Sequence, residues 1–327
     1  MGVWHISGLG ISPGALTVPT SSIYLLLKAA EEGEAKACEF FETSGEWRQK
    51  EGILRGFPEG IVIFTSREVV EKKFSRRSDL KDRWFKNTGK EISVPRVACK
   101  FIRDIHRELF DQYDLPKIYY LAVDYQDFKK ALPVIYHTVN ALGTKGGKEL
   151  WANMVGGTNQ INASILTAGS LSGAISRYYY YFEQDIDLLH PDLEKPKGRL
   201  PKGQIDLLLS KWFQLPIFDF GWGEVSNTIN SLMEQYNNAL PLEVLKEELE
   251  KTGMKSQYLA KLTGSRLIVI ENNLVRPGAD LNHLRSLLSG DSNSPNNLSS
   301  WKKWAAEKGI LWQQEMDQNC TLKKVFP

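Results

Sequence analysis

The amino-acid sequence predicts a doubly wound α/β domain with a mainly parallel sheet, followed by a smaller domain of winged helix-turn-helix type. Three observations carry this expectation. Short apolar runs that do not alternate with polar residues recur through residues 1–185, as expected of strands covered on both faces. Each run is followed by a helical pattern, the order that builds parallel sheets. Further on, three helical stretches precede two short strands around an Asn-Asn turn.

The first run, Val3 to Leu9, leads through Gly10-Ile11-Ser12-Pro13-Gly14 into a helix expected over Ser21 to Ala30. Gly60 to Ser66 is a β-branched run, and Ser66 is placed to cap a helix starting at Arg67. Lys117 to Asp124 leads into a helix over Phe128 to Leu142, and Leu150 to Val155 leads through Gly156-Gly157-Thr158 into a helix over Asn159 to Ala168. A last strand is expected over Ala174 to Phe182. Segments 33–58 and 75–112 are charged and read as irregular insertions without an assigned role.

The polar stretch His190 to Gly203 carries three prolines and has the composition of a linker. The expected division is therefore 1–185 for the α/β domain, 186–222 for a connecting segment, 223–290 for the winged-helix domain and 291–327 for a C-terminal tail. Trp301, Trp304 and Trp312 in that tail are expected to dock on the body of the protein.

A chain of 327 residues, 42% hydrophobic and 24% charged, is long and apolar enough for a substantial core, which excludes a disordered or fibrous protein. The 41 Lys and Arg against 39 Asp and Glu leave +2, too balanced to argue for nucleic acid on net charge. Cys38, Cys99 and Cys320 are far apart, with no CxxC or Cys/His ligand spacing, so reduced buried thiols are expected and no structural zinc. No segment reaches the roughly 20 apolar residues of a membrane span, so a cytoplasmic protein without a membrane partner is expected.

Two turns could carry chemistry. As a dinucleotide fingerprint, Gly8-Leu9-Gly10-Ile11-Ser12-Pro13-Gly14 fails, because Gly14 comes one position late and Pro13 removes a backbone donor. It does offer the Ser12 and Thr17 hydroxyls near a helix start, a setting for an anion or a ribose. The second turn, Gly156-Gly157-Thr158-Asn159-Gln160, combines two permissive glycines with a hydroxyl and two amides. It suits a base edge or a phosphate, and it equally suits a plain N-capping turn.

Taken together and in order, "GISPGALT", "IVIFTSREVV", "IYYLAVDYQDF" and "MVGGTNQINASIL" resemble the CARF domain of type III CRISPR systems, a Rossmann-like sensor of cyclic oligoadenylate. The resemblance covers residues 1 to about 185 and is most specific at the two turns. It implies a homodimer with both turns of each subunit lining one pocket, a symmetric host for a symmetric ring. The implied ligand-binding residues are Gly10, Ser12, Pro13, Thr17, Gly156, Gly157, Thr158, Asn159 and Gln160, with Ser12 and Asn159 as the implied catalytic pair.

The function this implies is binding of cyclic tetra- or hexa-adenylate and its cleavage as a ring nuclease, with no metal and no cofactor. The ligand's own 2′-hydroxyl would attack the neighbouring phosphate. Some ring nucleases of this kind carry a lysine where this chain has Asn159, which implies slower catalysis or another cation; Lys148 and Arg177 are nearby in sequence and are assigned no role. The alternative is a cyclic-oligoadenylate-responsive transcription regulator, with Lys255, Ser256, Gln257, Tyr258 and Lys261 facing DNA and Arg266 and Arg276 on the wing. Arg276 and His283 have the spacing of a HEPN ribonuclease pair, but Pro277-Gly278 between them favours a loop. His5, His106, His137 and His190 form no metal-binding pattern and read as packed or surface groups.

Overall fold

The computed structural model describes residues 2–41, 56–71, 93–181, 205–215, 222–251, 258–288 and 294–327. Much of the linker reading and Lys255, Ser256 and Gln257 lie outside the described residues.

Among the described residues, eight strands form one sheet. In chain order its parallel centre is β1 (Val3–Leu9), β2 (Pro58–Thr65), β3 (Lys117–Ala122), β4 (Leu150–Asn153) and β5 (Ile175–Tyr181). They run side by side as β3-β2-β1-β4-β5, all pairs parallel. The chain builds outward from β1 to β3 on one side and then returns to build on the other. The order therefore reverses between β1 and β4, the position where α/β sheets open a crevice at their strand C-terminal ends.

Every residue of β1 is buried, the polar His5 and Ser7 included, so both faces of the strand are covered. Alternate side chains serve two cores. Val3 and Leu9 join Ile61, Ile63, Ile118 and Tyr120 on one face, whereas Trp4 and Ile6 join Val62, Phe64, Tyr119 and Leu121 on the other. The first face is covered by α1 (Gly14–Glu31) and the second by α5 (Phe128–Leu142) and α6 (Asn159–Ser172).

The first helix starts seven residues earlier than the sequence suggests, so that Pro19 lies inside it. Short helices α2 (Ala35–Phe41) and α3 (Arg67–Glu71) follow. The segment read as an irregular insertion contains α4 (Val94–Phe110), which packs Val94, Ala98, Ile102 and Ile105 into the first core. Ser93 caps it, its hydroxyl accepting from the Arg96 N–H at 3.4 Å, and Pro95 occupies the first turn, where no donor is lost.

Sheet hydrogen bonding crosses the expected divisions of the chain. After α7 (Ile205–Ser210), β6 (Trp212–Leu215) pairs antiparallel with β5. At the other edge, β10 (Leu311–Gln314) pairs antiparallel with β3, and β11 (Leu322–Lys324) pairs with β10. Between them in sequence stand α8 (Trp222–Gln235), β7 (Leu240–Pro241), α9 (Leu242–Lys251), α10 (Tyr258–Gly264), β8 (Ile268–Glu271), β9 (Leu274–Pro277), α11 (Ala279–Leu288) and α12 (Leu298–Glu307). Strands β7, β9 and β8 make a separate antiparallel sheet, and α8 to α10 close a core of their own over it, including Val225, Ile229, Leu245, Leu262 and Val275.

The tail thus completes the large sheet. Trp301 of α12 is fully buried against Tyr119 and donates its indole N–H to Thr138 Oγ1 at 3.0 Å. The expectation of three reduced cysteines is corrected: Cys99 of α4 and Cys320, in the turn between β10 and β11, form a disulfide across 221 residues, and Cys38 is free. Widely spaced cysteines give no local pattern, because their meeting depends on the tail returning to the sheet edge.

Candidate functional site

The two turns singled out by sequence follow β1 and β4, neighbours at the point where strand order reverses. Their backbones touch. A Cβ placed on Gly8 would sit 2.7 Å from the Gly156 carbonyl and 2.9 Å from the Gly157 Cα, and a Cβ on Gly156 would collide with the Gly8 carbonyl. Gly157 also has φ of +86°, a conformation that any side chain would strain. The paired glycines are required by this close approach.

One side chain ties the turns together. Asn153, the last residue of β4, is buried at 1% exposure. Its Nδ2 donates to Ser7 Oγ of β1 at 3.1 Å and to the Ala15 carbonyl of α1 at 2.9 Å, while its Oδ1 accepts from the Val155 N–H at 3.0 Å. The Ala15 carbonyl is available because the residue four positions on is Pro19, which has no N–H to fill it. Asn153 therefore completes a helix interrupted by proline and fixes both turns at once. The sequence reading missed it.

The implied ligand residues divide by exposure. Ser12, Asn159 and Gln160 are exposed at the rim, Gly10, Gly157 and Thr158 are half-buried, and Pro13 and Gly156 are buried. Thr17 is 1% exposed inside α1, where its hydroxyl donates to the Pro13 carbonyl at 3.1 Å. Pro13 is the N-cap of α1 and supplies no side-chain cap. Thr158 caps α6, its hydroxyl accepting from the Ile161 N–H at 3.4 Å and donating to the Tyr125 carbonyl at 3.5 Å. The starts of two helices, 18 and 14 residues long, meet at this rim, where backbone N–H groups favour negative charge.

Neither nearby cation of the sequence reading reaches the turns. Lys148 precedes β4 at the opposite end of the strand and pairs with Glu59 at 2.6 Å. Arg177 lies in β5 beside Trp151, over whose ring its guanidinium stands at 4.2 Å, and it donates to the Phe40 carbonyl. Among the histidines, His5 is buried in β1 with Nδ1 3.1 Å from the Tyr179 hydroxyl, and burial pushes its pKa down to about 4. His106 is buried against Tyr24, and burial lowers its pKa as well. Both are packed groups. Among the described residues, no three His, Cys, Asp or Glu side chains converge as a metal site.

Fold and site together define a Rossmann-like α/β protein whose crest carries two interlocked strand-to-helix turns. The chain belongs to one family with a protein of Archaeoglobus fulgidus, described as an uncharacterized protein, to which it is 35% identical over 329 residues covering 98% of each chain. No family model matches. Among solved structures, Enterococcus italicus Csm6 bound to cyclic hexa-2′-fluoro-hexa-dAMP is similar with 14% identity and a TM-score of 0.36, over 77% of this chain and 49% of that one. The chain spans about half the length of that protein. Among the described residues, no helix is long and apolar enough to cross a membrane.

Proposed function

We propose that this protein is a CARF-type receptor that binds cyclic oligoadenylate at the paired turns and cleaves it as a metal-independent ring nuclease, switching off type III CRISPR signalling. The observation that carries the reading is the backbone contact of Gly8 with Gly156 and Gly157 at the point where strand order reverses. It joins two segments distant in sequence into one surface of amides, hydroxyls and helix N-termini, suited to a polyanion. Two such surfaces facing across a homodimer axis would match the ring's own rotational symmetry.

In the proposed reaction a ribose 2′-oxygen attacks the adjoining phosphorus, the bond to the 5′-oxygen breaks, and a 2′,3′-cyclic phosphate remains. The 2′-hydroxyl proton passes to solvent and the leaving 5′-oxygen takes one up. The exposed Ser12 hydroxyl and Asn159 amide donate to the non-bridging oxygens as charge develops there. Holding nucleophile, phosphorus and leaving oxygen in line is the larger contribution. Incubation of the protein with labelled cyclic tetra- and hexa-adenylate in EDTA tests this. Ser12→Ala should slow cleavage about tenfold or more, the cost of one lost donor to a charged oxygen. Ligand unchanged after hours would remove the enzyme, and an unaltered Ser12→Ala rate would remove the site.

One observation favours a second reading, a DNA-binding regulator with the winged-helix element order of α8 to β9. Helix α6 begins at the second turn, and its final turn carries Leu171, whose carbonyl abuts Gly223 of α8 so closely that a Cβ there would collide. A ligand shifting α6 would press on the smaller unit. Sequence-selective DNA binding that weakens with salt would support this reading.

A further inference from the structure

The two turns carry no charged side chain between Gly8 and Gly14 or between Met154 and Gln160, yet a phosphodiester held there brings full negative charge. Among the described residues, several basic groups at this end of the sheet are engaged. Lys130 lies between Asp124 and Asp127 at 3.2 and 3.4 Å, Lys308 stands over the Trp304 ring, and Lys324 over that of Trp312.

Arg67 differs. It follows β2 by two residues, and the last residue of β2, Thr65, pairs with Leu9 of β1 and donates its hydroxyl to the Leu9 carbonyl at 2.6 Å. The strand pairing places Arg67 one strand over from the first turn, at the same end of the sheet. It is exposed and forms no ion pair among the described residues; its contacts are a 3.4 Å bond from Nη2 to the Gly309 carbonyl and a 5.9 Å approach to the Trp312 ring.

Arg67 also borders an open cleft of about 400 Å³, walled by Glu68 and by the Ala122–Gln126 segment beyond β3. This wall is bonded to the second turn through Thr158 and the Tyr125 carbonyl. The cleft's acidic groups, Glu68 and Asp124, disfavour a phosphate within it but can accept from an exocyclic amine, and the exposed Gln126 amide matches the paired donor and acceptor of an adenine edge.

We propose that Arg67 supplies the positive charge for a phosphate of the ligand held by the turns, and that the cleft beside it receives the adjoining adenine. This rests on the proposed function. The test is titration of wild type, Arg67→Gln, Arg67→Lys and Ser12→Ala with fluorescent cyclic tetra- and hexa-adenylate at low and moderate salt, with melting temperatures recorded. Arg67→Gln should bind at least about tenfold more weakly, in the range of a lost charge-assisted hydrogen bond, and with a flatter salt dependence. Arg67→Lys should recover most of the affinity, and all variants should melt as wild type. Wild-type affinity in Arg67→Gln alongside weakened Ser12→Ala would overturn the role of Arg67 and leave the reading of the turns intact. Equal weakening in both Arg67 variants would overturn the charge argument. No binding of either ring by wild type would overturn both proposals.

Discussion

At the scale of single residues, Asn153 sets the geometry of the crest. Its side chain satisfies one acceptor of α1, one hydroxyl of β1 and the Val155 N–H at the entry to the second turn. Asn153→Ala removes the partner of the Ala15 carbonyl and of the Val155 N–H and should cost about 2–3 kcal/mol in urea denaturation, while abolishing the proposed ligand binding. A loss under 0.5 kcal/mol would show that the turns hold their positions without it. His5 provides a second check. Burial holds its folded pKa at about 4 against 6.5 in the unfolded chain, so between those values the unfolded chain binds a proton that the folded one refuses. Stability should therefore fall as pH drops from about 6.5 towards 4, by up to about 3 kcal/mol. His106 acts in the same direction. Urea midpoints at pH 7 and pH 5 should differ less in His5→Gln than in wild type, and equal differences would contradict the assignment. The glycine turns were legible because their chemistry is local and contiguous. Asn153 was not, since its role depends on a carbonyl vacated by Pro19, 134 positions earlier; the one available signal was a proline within an apolar helical pattern. Thr17 shows the converse, for a hydroxyl near a helix start reads equally well as a ligand group or as the internal bond to Pro13 that it makes.

Among the elements, the parallel strands and the helices following them could be read directly, because strands buried on both faces appear as unbroken apolar runs. Helix α4 was obscured. Val94, Val97, Ala98, Phe101, Ile102 and Ile105 recur at helical spacing, but charged residues between them give the segment the look of an insertion. One of those charges is itself buried: Arg103, 8% exposed, donates through Nη1 to the carbonyls of Asp317 at 2.5 Å and Gln318 at 3.0 Å. The Cys99–Cys320 disulfide fastens the same helix to the same turn. Closing a loop of that length restricts the unfolded chain by up to about 5 kcal/mol on the chain-entropy account. Reduction, or Cys320→Ser, should lower the melting temperature by several degrees or more, and non-reducing peptide mapping should recover the linked pair. Identical melting of oxidised and reduced protein, or three free thiols in the native chain instead of one, would refute the link.

For the whole molecule, the large sheet is assembled from both ends of the chain. Strands β10 and β11 cover the β3 edge, and β6 covers the β5 edge, so segments that composition marked as linker and tail become part of the same layer. Composition could not reveal the β3–β10 pairing, because antiparallel edge pairing between segments so distant in sequence leaves no local pattern. What composition and turn chemistry did reveal is the crest itself, where the chain brings its two uncharged turns into contact and leaves their amides, hydroxyls and helix starts facing outward. Hydrogen exchange on the native protein, with and without saturating cyclic tetra- or hexa-adenylate, measures that claim most directly. Protection should rise together in peptides covering residues 8–17 and 154–162. Protection confined to one of them, or appearing only elsewhere in the chain, would contradict a shared site.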